Sequence, residues 1–318
     1  MKFDFTLETY QELLKTLFNT YKFSTFREFL SSETTEVIDS AKNQSGITPH
    51  ASRITNHAVI ILRHDVDRLP QNALRLAQLE HDMGIHGTYY FRIVPQSYNL
   101  EIMQKIAELG HEIGYHYEDV DLVVKRDSLR PENIVRKEIK IGGVKRDEVK
   151  FDDHISSLTY HASRINDNVL DAAYDSFCKN LEIFRKHFYI KTICMHGSPR
   201  SRYDNKLIWT KYDYRNLGIL GEPYLDIDFN EVAYFTDTGR RWNADKSSIR
   251  DKVYSLYKFN FKKTPQIINN VDILPEKIMF NIHPQRWNGL SVLWVKELVF
   301  QNVKNVFKYV LNRYKQNL

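Results

Sequence analysis

Cysteine is almost absent from the chain: Cys178 and Cys194 are the two among 318 residues. Neither their number nor their spacing can build a disulfide framework or a thiolate metal cluster, so both are expected as buried thiols in a reducing compartment. Long apolar runs are missing too, and no stretch approaches the roughly 20 residues that cross a bilayer. The N-terminus, Met-Lys-Phe-Asp-Phe-Thr-Leu-Glu, carries acids where a secretion signal needs an apolar core. Nor is there a basic run or the aromatic–glycine pattern of a nucleic-acid module; the formal charge of +5 is spread along the chain, which argues against a nucleic-acid partner. A cytoplasmic protein, at most peripheral to the inner membrane, is expected. What the chain has in quantity is aromatic residues. Its 19 Tyr and 18 Phe supply core mass for one large domain, and ring faces suited to sugars.

The chain is organised around Ala58-Val-Ile-Ile-Leu-Arg-His-Asp-Val-Asp67. Its apolar, β-branched half reads as a strand buried on both faces. Arg63, His64, Asp65 and Asp67 then put four ionisable groups into five positions. A buried strand cannot carry unpaired charge, so these groups are expected at the strand's end, where the chain leaves the core and where α/β folds place their chemistry.

Around that strand, residues 1–56 read as an N-terminal helical segment, with apolar positions from Leu7 to Tyr21, followed by a polar loop over 31–56. A helix from Pro70 to Gly84, a strand over Gly87–Val94, a helix over Asn99–Leu109 and a strand over His111–Asp119 follow with short connections. That alternation implies right-handed crossovers and a parallel sheet or barrel. Residues 121–167, charged and containing Gly142-Gly143, break the rhythm and are expected as an inserted loop. A helix over Asn168–His187 feeds a strand over Ile190–His196, and Leu225–Phe229 and Val232–Thr236 read as short strands. Lys277–His283 is the last clear strand. Ser291–Tyr314 reads as a long amphipathic helix, packed on the barrel or resting its basic face on an anionic membrane.

Four of these strands end in reactive groups: Asp65 and Asp67; His116 with Glu118 and Asp119; His196; and His283. Parallel strands present their carboxyl ends on one face, so residues far apart in sequence are brought together there.

An acidic pair after the first strand, Gly87-Thr-Tyr-Tyr-Phe91, Gly110-His-Glu-Ile-Gly-Tyr-His116 and a late strand ending in His283 resemble the polysaccharide deacetylase superfamily (carbohydrate esterase family 4). Its fold is the NodB-like distorted (β/α)7-type barrel, expected here over 57–318. Met195-His-Gly-Ser-Pro199 and Thr236-Asp-Thr-Gly-Arg-Arg-Trp242 are most similar to deacetylase-like proteins of bacterial surface-polysaccharide gene clusters. The resemblance implies a metal-dependent amide hydrolase that removes N-acetyl groups from an amino sugar or glycan precursor. Asp65 matches the family's catalytic base, His283 its general acid and His116 a metal-ligand histidine, while Asp67 falls one residue beyond the metal-binding aspartate, whose position is Val66 here. The second histidine of the family's metal pair falls at Val120, a departure. Either Glu118, Asp119 or His196 completes the shell, or the metal is weakly held or absent; without it the fold would bind a glycan or lipid-linked sugar but not turn it over. Zinc suits the mixed nitrogen and oxygen donors. Arg92, Ser198, Asp237, Arg240, Arg241, Trp242 and Trp287 are the candidate substrate contacts, since guanidinium forks suit anionic sugar groups and indole faces suit sugar rings.

Overall fold

The computed structural model describes residues 3–33, 58–128, 165–197, 201, 203–243 and 253–288. The sequence pattern becomes helix α1 (Leu7–Phe18), strand β1 (Lys22–Ser24), α2 (26–33), β2 (Val59–Val66), α3 (Pro70–His81), β3 (Thr88–Phe91), α4 (Leu100–Glu108), β4 (Glu112–Tyr117), α5 (Asp119–Ser128), α6 (Asp167–Arg185), β5 (Ile193–Met195), α7 (Pro223–Asp226), β6 (Ala233–Thr236), α8 (Thr264–Ile268) and β7 (Lys277–Ile282). Among the described residues all strand pairings are parallel. The order is β5-β4-β3-β2-β7-β6, a curled sheet consistent with a distorted barrel.

β1 is the element the sequence hides. Three residues, Lys22, Phe23 and Ser24, pair with Val59–Ile61, the first half of β2, while β3 pairs with the second half from Arg63 onward. The two short strands share one flank of β2, and a three-residue strand has no periodicity to announce it.

Further corrections follow from burial. Residues 31–33 continue α2 where a loop was expected, and 34–57 lie outside the described residues. The expected loop from residue 121 begins as α5, whose Val120 and Val123 are buried in the core. A strand was expected over 225–229, but residues 223–226 form a helical turn, started by Pro223 after the Glu222 side chain caps Tyr224 N, and 227–229 form no strand. The bulk of the 121–167 insertion, Ser198 and the C-terminal helix that carried the membrane expectation fall outside the described residues. No described helix is long and apolar enough to cross a membrane.

β2 is buried along nearly its whole length, Arg63 and His64 included. Charge therefore does not wait for the strand's solvent end; it is paired inside. The period of two sends Arg63 and Asp65 to one face, where they bond each other, and His64 to the opposite face. There His64 Nε2 meets Glu80 at 2.9 Å, and Glu80 also accepts from the Tyr10 and Tyr89 hydroxyls at 2.6 and 2.8 Å. Burying Ile60, Ile61 and Leu62 stabilises the strand by about 1.5–3 kcal/mol each, against the desolvation of these charged groups, whose Arg63 Nη1 and His64 Nδ1 atoms find no hydrogen-bond partner. Gly114 in β4 is required by packing on the other face, because a Cβ there would lie 2.4 Å from the Tyr90 ring.

Candidate metal centre and acid–base site

The same alternation builds the site. Continuing past the strand ends, Arg63–Asp65–Asp67, Tyr90–Arg92, Gly114–His116–Glu118, Cys194–His196 and Asn281–His283 follow one another at every second position. The β4–β5 register makes His116 and Cys194 direct neighbours. Leu69 adopts a left-handed conformation (φ 55°), turning the chain from β2 into α3 two residues after Asp67.

Two imidazoles converge on one carboxylate oxygen. Asp67 Oδ1 lies 3.6 Å from His116 Nε2 and 3.6 Å from His196 Nε2. Each ring is held from behind: His116 Nδ1 donates to the Cys194 carbonyl at 2.9 Å, and His196 Nδ1 bonds Glu118 at 3.1 Å. That leaves both Nε2 atoms as acceptors facing inward, the arrangement by which metal-binding histidines are oriented. Asp65 Oδ2 is 3.9 Å from the same His116 nitrogen. The buried set Asp65, His116 and Cys194 places its ligand atoms within 4.8 Å of one another and could hold a metal ion.

That set, Asp65, His116 and Cys194, therefore fits a divalent ion, and the field agrees. Burial alone would push the His116 pKa down, yet the Asp65 and Asp67 carboxylates raise it: the pocket favours positive charge at that nitrogen. Burial also opposes ionisation of Asp67, but its contacts with His116 and His196 hold it well below the usual carboxylate range.

Of the three candidates to complete the shell, only His196 offers an atom to Asp67. Glu118 instead orients His196 and receives the Arg92 guanidinium on both oxygens at 2.7 Å; burial raises its pKa, but these partners win and hold it at about 2. Asp119 points the other way, accepting from Tyr115 at 2.7 Å, Ser176 at 2.8 Å and Asn180 at 2.7 Å, and burial lifts it to about 6. Val120 is a core residue, 0% exposed.

Asp65 is fixed by Arg63, with Nε to Oδ1 at 2.9 Å and Nη2 to Oδ2 at 2.6 Å, and by Asn281 Nδ2 at 3.1 Å. Burial works against its charge, yet Arg63 and His116 hold it at about 2. His283 stands near enough to Asp65 and Asp67 to lower both. Its Nδ1 bonds Asp237 Oδ1 at 2.7 Å and its backbone N–H donates to Asp237 Oδ2 at 2.9 Å. Asp237 also receives the Trp287 indole N–H at 2.7 Å and the Arg286 guanidinium.

This geometry corrects the substrate-contact expectations. Asp237 is fully buried and serves His283. Trp242 and Trp287, 2% and 1% exposed, are core side chains stacked around Phe5, so neither offers a face to a sugar. Arg240 is buried, donating to the Asp4 carbonyl at 3.2 Å, and Arg241 bonds Asn243 at 3.1 Å. Arg92 is committed to Glu118. Sequence reasoning missed Asn281, Gln285, whose Nε2 donates to Asp67 Oδ2 at 2.9 Å, and the place of Cys194 in the site; the last was legible as Cys194-x-His196, two positions apart on one strand. Cys178, in contrast, is half-buried on α6.

Glu222, behind β5, accepts from Met195 N at 2.9 Å and Tyr224 N at 2.6 Å. Burial pushes it up to about 7, with the Lys206 charge only partly opposing. Between its ordinary value and 7 the folded chain keeps a proton that the unfolded chain has lost, so this group subtracts stability as pH rises through that window. The loss is about 3 kcal/mol at full extent. Glu222→Gln should remove it: the stability of the variant relative to the parent, from denaturant melts, should climb between pH 5 and pH 8. Parallel curves would refute the assignment.

No family model matches the chain, and no curated protein or solved structure matches it.

Proposed function

We propose that the protein is a metal-dependent amide hydrolase, an N-deacetylase of an amino sugar or glycan precursor in bacterial surface-polysaccharide assembly. The observation that carries this reading is the meeting of Asp67 Oδ1 with two imidazole Nε2 atoms at 3.6 Å, beside an ionised Asp65 and an Asp237-oriented His283. The resemblance to the polysaccharide deacetylases supports the choice of reaction, with His196 standing in for the histidine that family has at the position of Val120.

A divalent ion held by Asp67, His116 and His196, zinc by the nature of the donors, would polarise the amide carbonyl and acidify a bound water. Asp65 takes the proton of the attacking water, with Arg63 and Asn281 fixing its direction. Its low pKa keeps it ionised at every working pH and makes it a weak base. His283 passes a proton to the leaving amine from Nε2, while Asp237 holds Nδ1 and so sets the tautomer. Arg92 acts at one remove, since Glu118 fixes His196.

The test is metal analysis of the purified chain together with acetate release from N-acetylated sugars. One equivalent of metal is expected, and Asp65→Asn should lower acetate release about 10²- to 10⁴-fold, the range for loss of a general base. A metal-free chain inert toward every N-acyl sugar would refute the reading.

The bidentate Arg63–Asp65 pair favours a second reading, in which the fold binds a glycan or lipid-linked sugar without turnover, because a base so neutralised accepts protons poorly. Sugar binding that survives both chelation and Asp65→Asn, with no acetate released by the parent, would select it.

A further inference from the structure

Behind the Asp67 oxygen lies a second set of donors. Asp65, His116 and Cys194 bring one carboxylate oxygen, one imidazole nitrogen and one sulfur within 4.8 Å of each other, and all three are buried. Cys194 Sγ is 4.0 Å from Asp65 Oδ1, and its residue is the register neighbour of His116 across β4 and β5. His116 Nε2 faces both carboxylates, 3.9 Å from Asp65 and 3.6 Å from Asp67.

We propose that the centre has two mutually exclusive cation positions, an outer one at Asp67, His116 and His196 and an inner one at Asp65, His116 and Cys194 that takes thiophilic ions. Exclusion follows from chemistry: imidazole Nε2 has a single lone pair, so His116 can ligate one ion at a time. Preference at the inner position follows from the donors. Both Asp65 oxygens already accept from Arg63, and Oδ2 also from Asn281, so a hard cation such as Mg²⁺ must compete for the oxygens it needs. What remains is the sulfur, and thiolate favours soft ions such as Cd²⁺, or zinc in excess.

Binding replaces the Cys194 S–H bond by a sulfur–metal bond, and the thiol proton leaves to solvent. Depth sets the route: the Asp67 and His196 side chains are 25% and 15% exposed, against 5% and 2% for Asp65 and His116, so an ion arrives at the outer donors first. An ion at the inner position takes an oxygen of Asp65. It thereby removes the general base and inhibits hydrolysis, a consequence that rests on the deacetylase reading, whereas the binding itself does not.

The experiment is titration of the full chain with Cd²⁺, followed by near-ultraviolet thiolate-to-metal absorption. The parent should bind one equivalent and develop the band. Cys194→Ser should lose the band and bind Cd²⁺ about a hundredfold more weakly, at or beyond the upper end of what losing a partner behind a ligand costs. His196→Ala and Cys178→Ser should keep the band. Cadmium-edge X-ray absorption on the parent chain counts sulfur neighbours without any variant, so a misfolded Cys194→Ser leaves the proposal open to refutation. No sulfur neighbour, a band that persists in Cys194→Ser, or a second equivalent bound beside the first overturns it. Cadmium binding with no acetate released by the zinc-loaded parent would count against the deacetylase reading alone.

Discussion

On the proposed deacetylase reading, replacing His116 by alanine is expected to leave the chain without bound metal and to reduce amide hydrolysis by about 10³- to 10⁴-fold, the several kcal/mol that a Lewis acid contributes to such a reaction. The size of the effect comes from sharing. His116 Nε2 is the one donor common to the outer and inner sets, so its loss leaves each set with two donors. Its loss also leaves the Asp65 and Asp67 carboxylates without an imidazole that lowers both. The variant should therefore gain in apparent carboxylate pKa as it loses metal. Atomic absorption on the dialysed protein, with acetate release on the same sample, is the check. Stoichiometric metal in His116→Ala would mean that neither set is the binding centre.

The contrast with His196→Ala is informative. That substitution breaks the outer set and leaves the inner one, so metal content and hydrolysis should part company: a thiophilic ion remains bound while hydrolysis falls. In His116→Ala the two fall together.

How far the sequence foretold this arrangement depends on what kind of signal each part leaves. The parallel sheet was legible because its strands are short apolar runs separated by helices with a 3.6-residue period, and Val59–Val66, Glu112–Tyr117 and Lys277–Ile282 lie within the stretches where apolar content placed them. β1 was not, since three residues fix no period. Pro223–Asp226 followed a rule that outweighs β-propensity: a carboxylate cap and a proline at the first helical position start a turn.

Within the site, the residue types were legible and their partners were not. Glu118 and Asp119 are adjacent in sequence and look interchangeable as ligands, yet the period of two sends one toward His196 and the other toward Ser176 and Asn180 on α6. Trp242 and Trp287 read as sugar platforms because composition carries no information on burial. Both instead fill the space between α1 and the sheet, with their N–H groups satisfied by Thr264 and Asp237. Arg63 shows the reverse. It read as a strand end seeking solvent, and it is fully buried because Asp65 lies two positions on and on the same face.

Asp237 carries the remaining large effect, and it is the residue whose role changed most between sequence and structure. Its two oxygens receive the His283 ring, the His283 backbone, the Trp287 indole and the Arg286 guanidinium, and burial that would raise its pKa is overcome by Arg286 and His283, so the carboxylate is charged. Asp237→Asn keeps the shape and removes the charge. An amide can present its NH₂ to His283 Nδ1, which forces the proton onto Nε2 or leaves a clash of donors, and in either case the carboxylate that holds the ring through Nδ1 is gone. On the proposed reading, hydrolysis should fall by about 10²- to 10⁴-fold, as for loss of the acid itself. The double variant Asp237→Asn with His283→Ala should be little slower than either single one, because groups that act as a unit do not add. Stability pays separately: Arg286 is left without its anion in a largely buried position, at a cost of about 3–5 kcal/mol. Adding Arg286→Met should recover part of that stability and none of the rate. If stability and rate were instead restored together, Asp237 would be a packing residue, and the orientation of His283 would owe nothing to its charge.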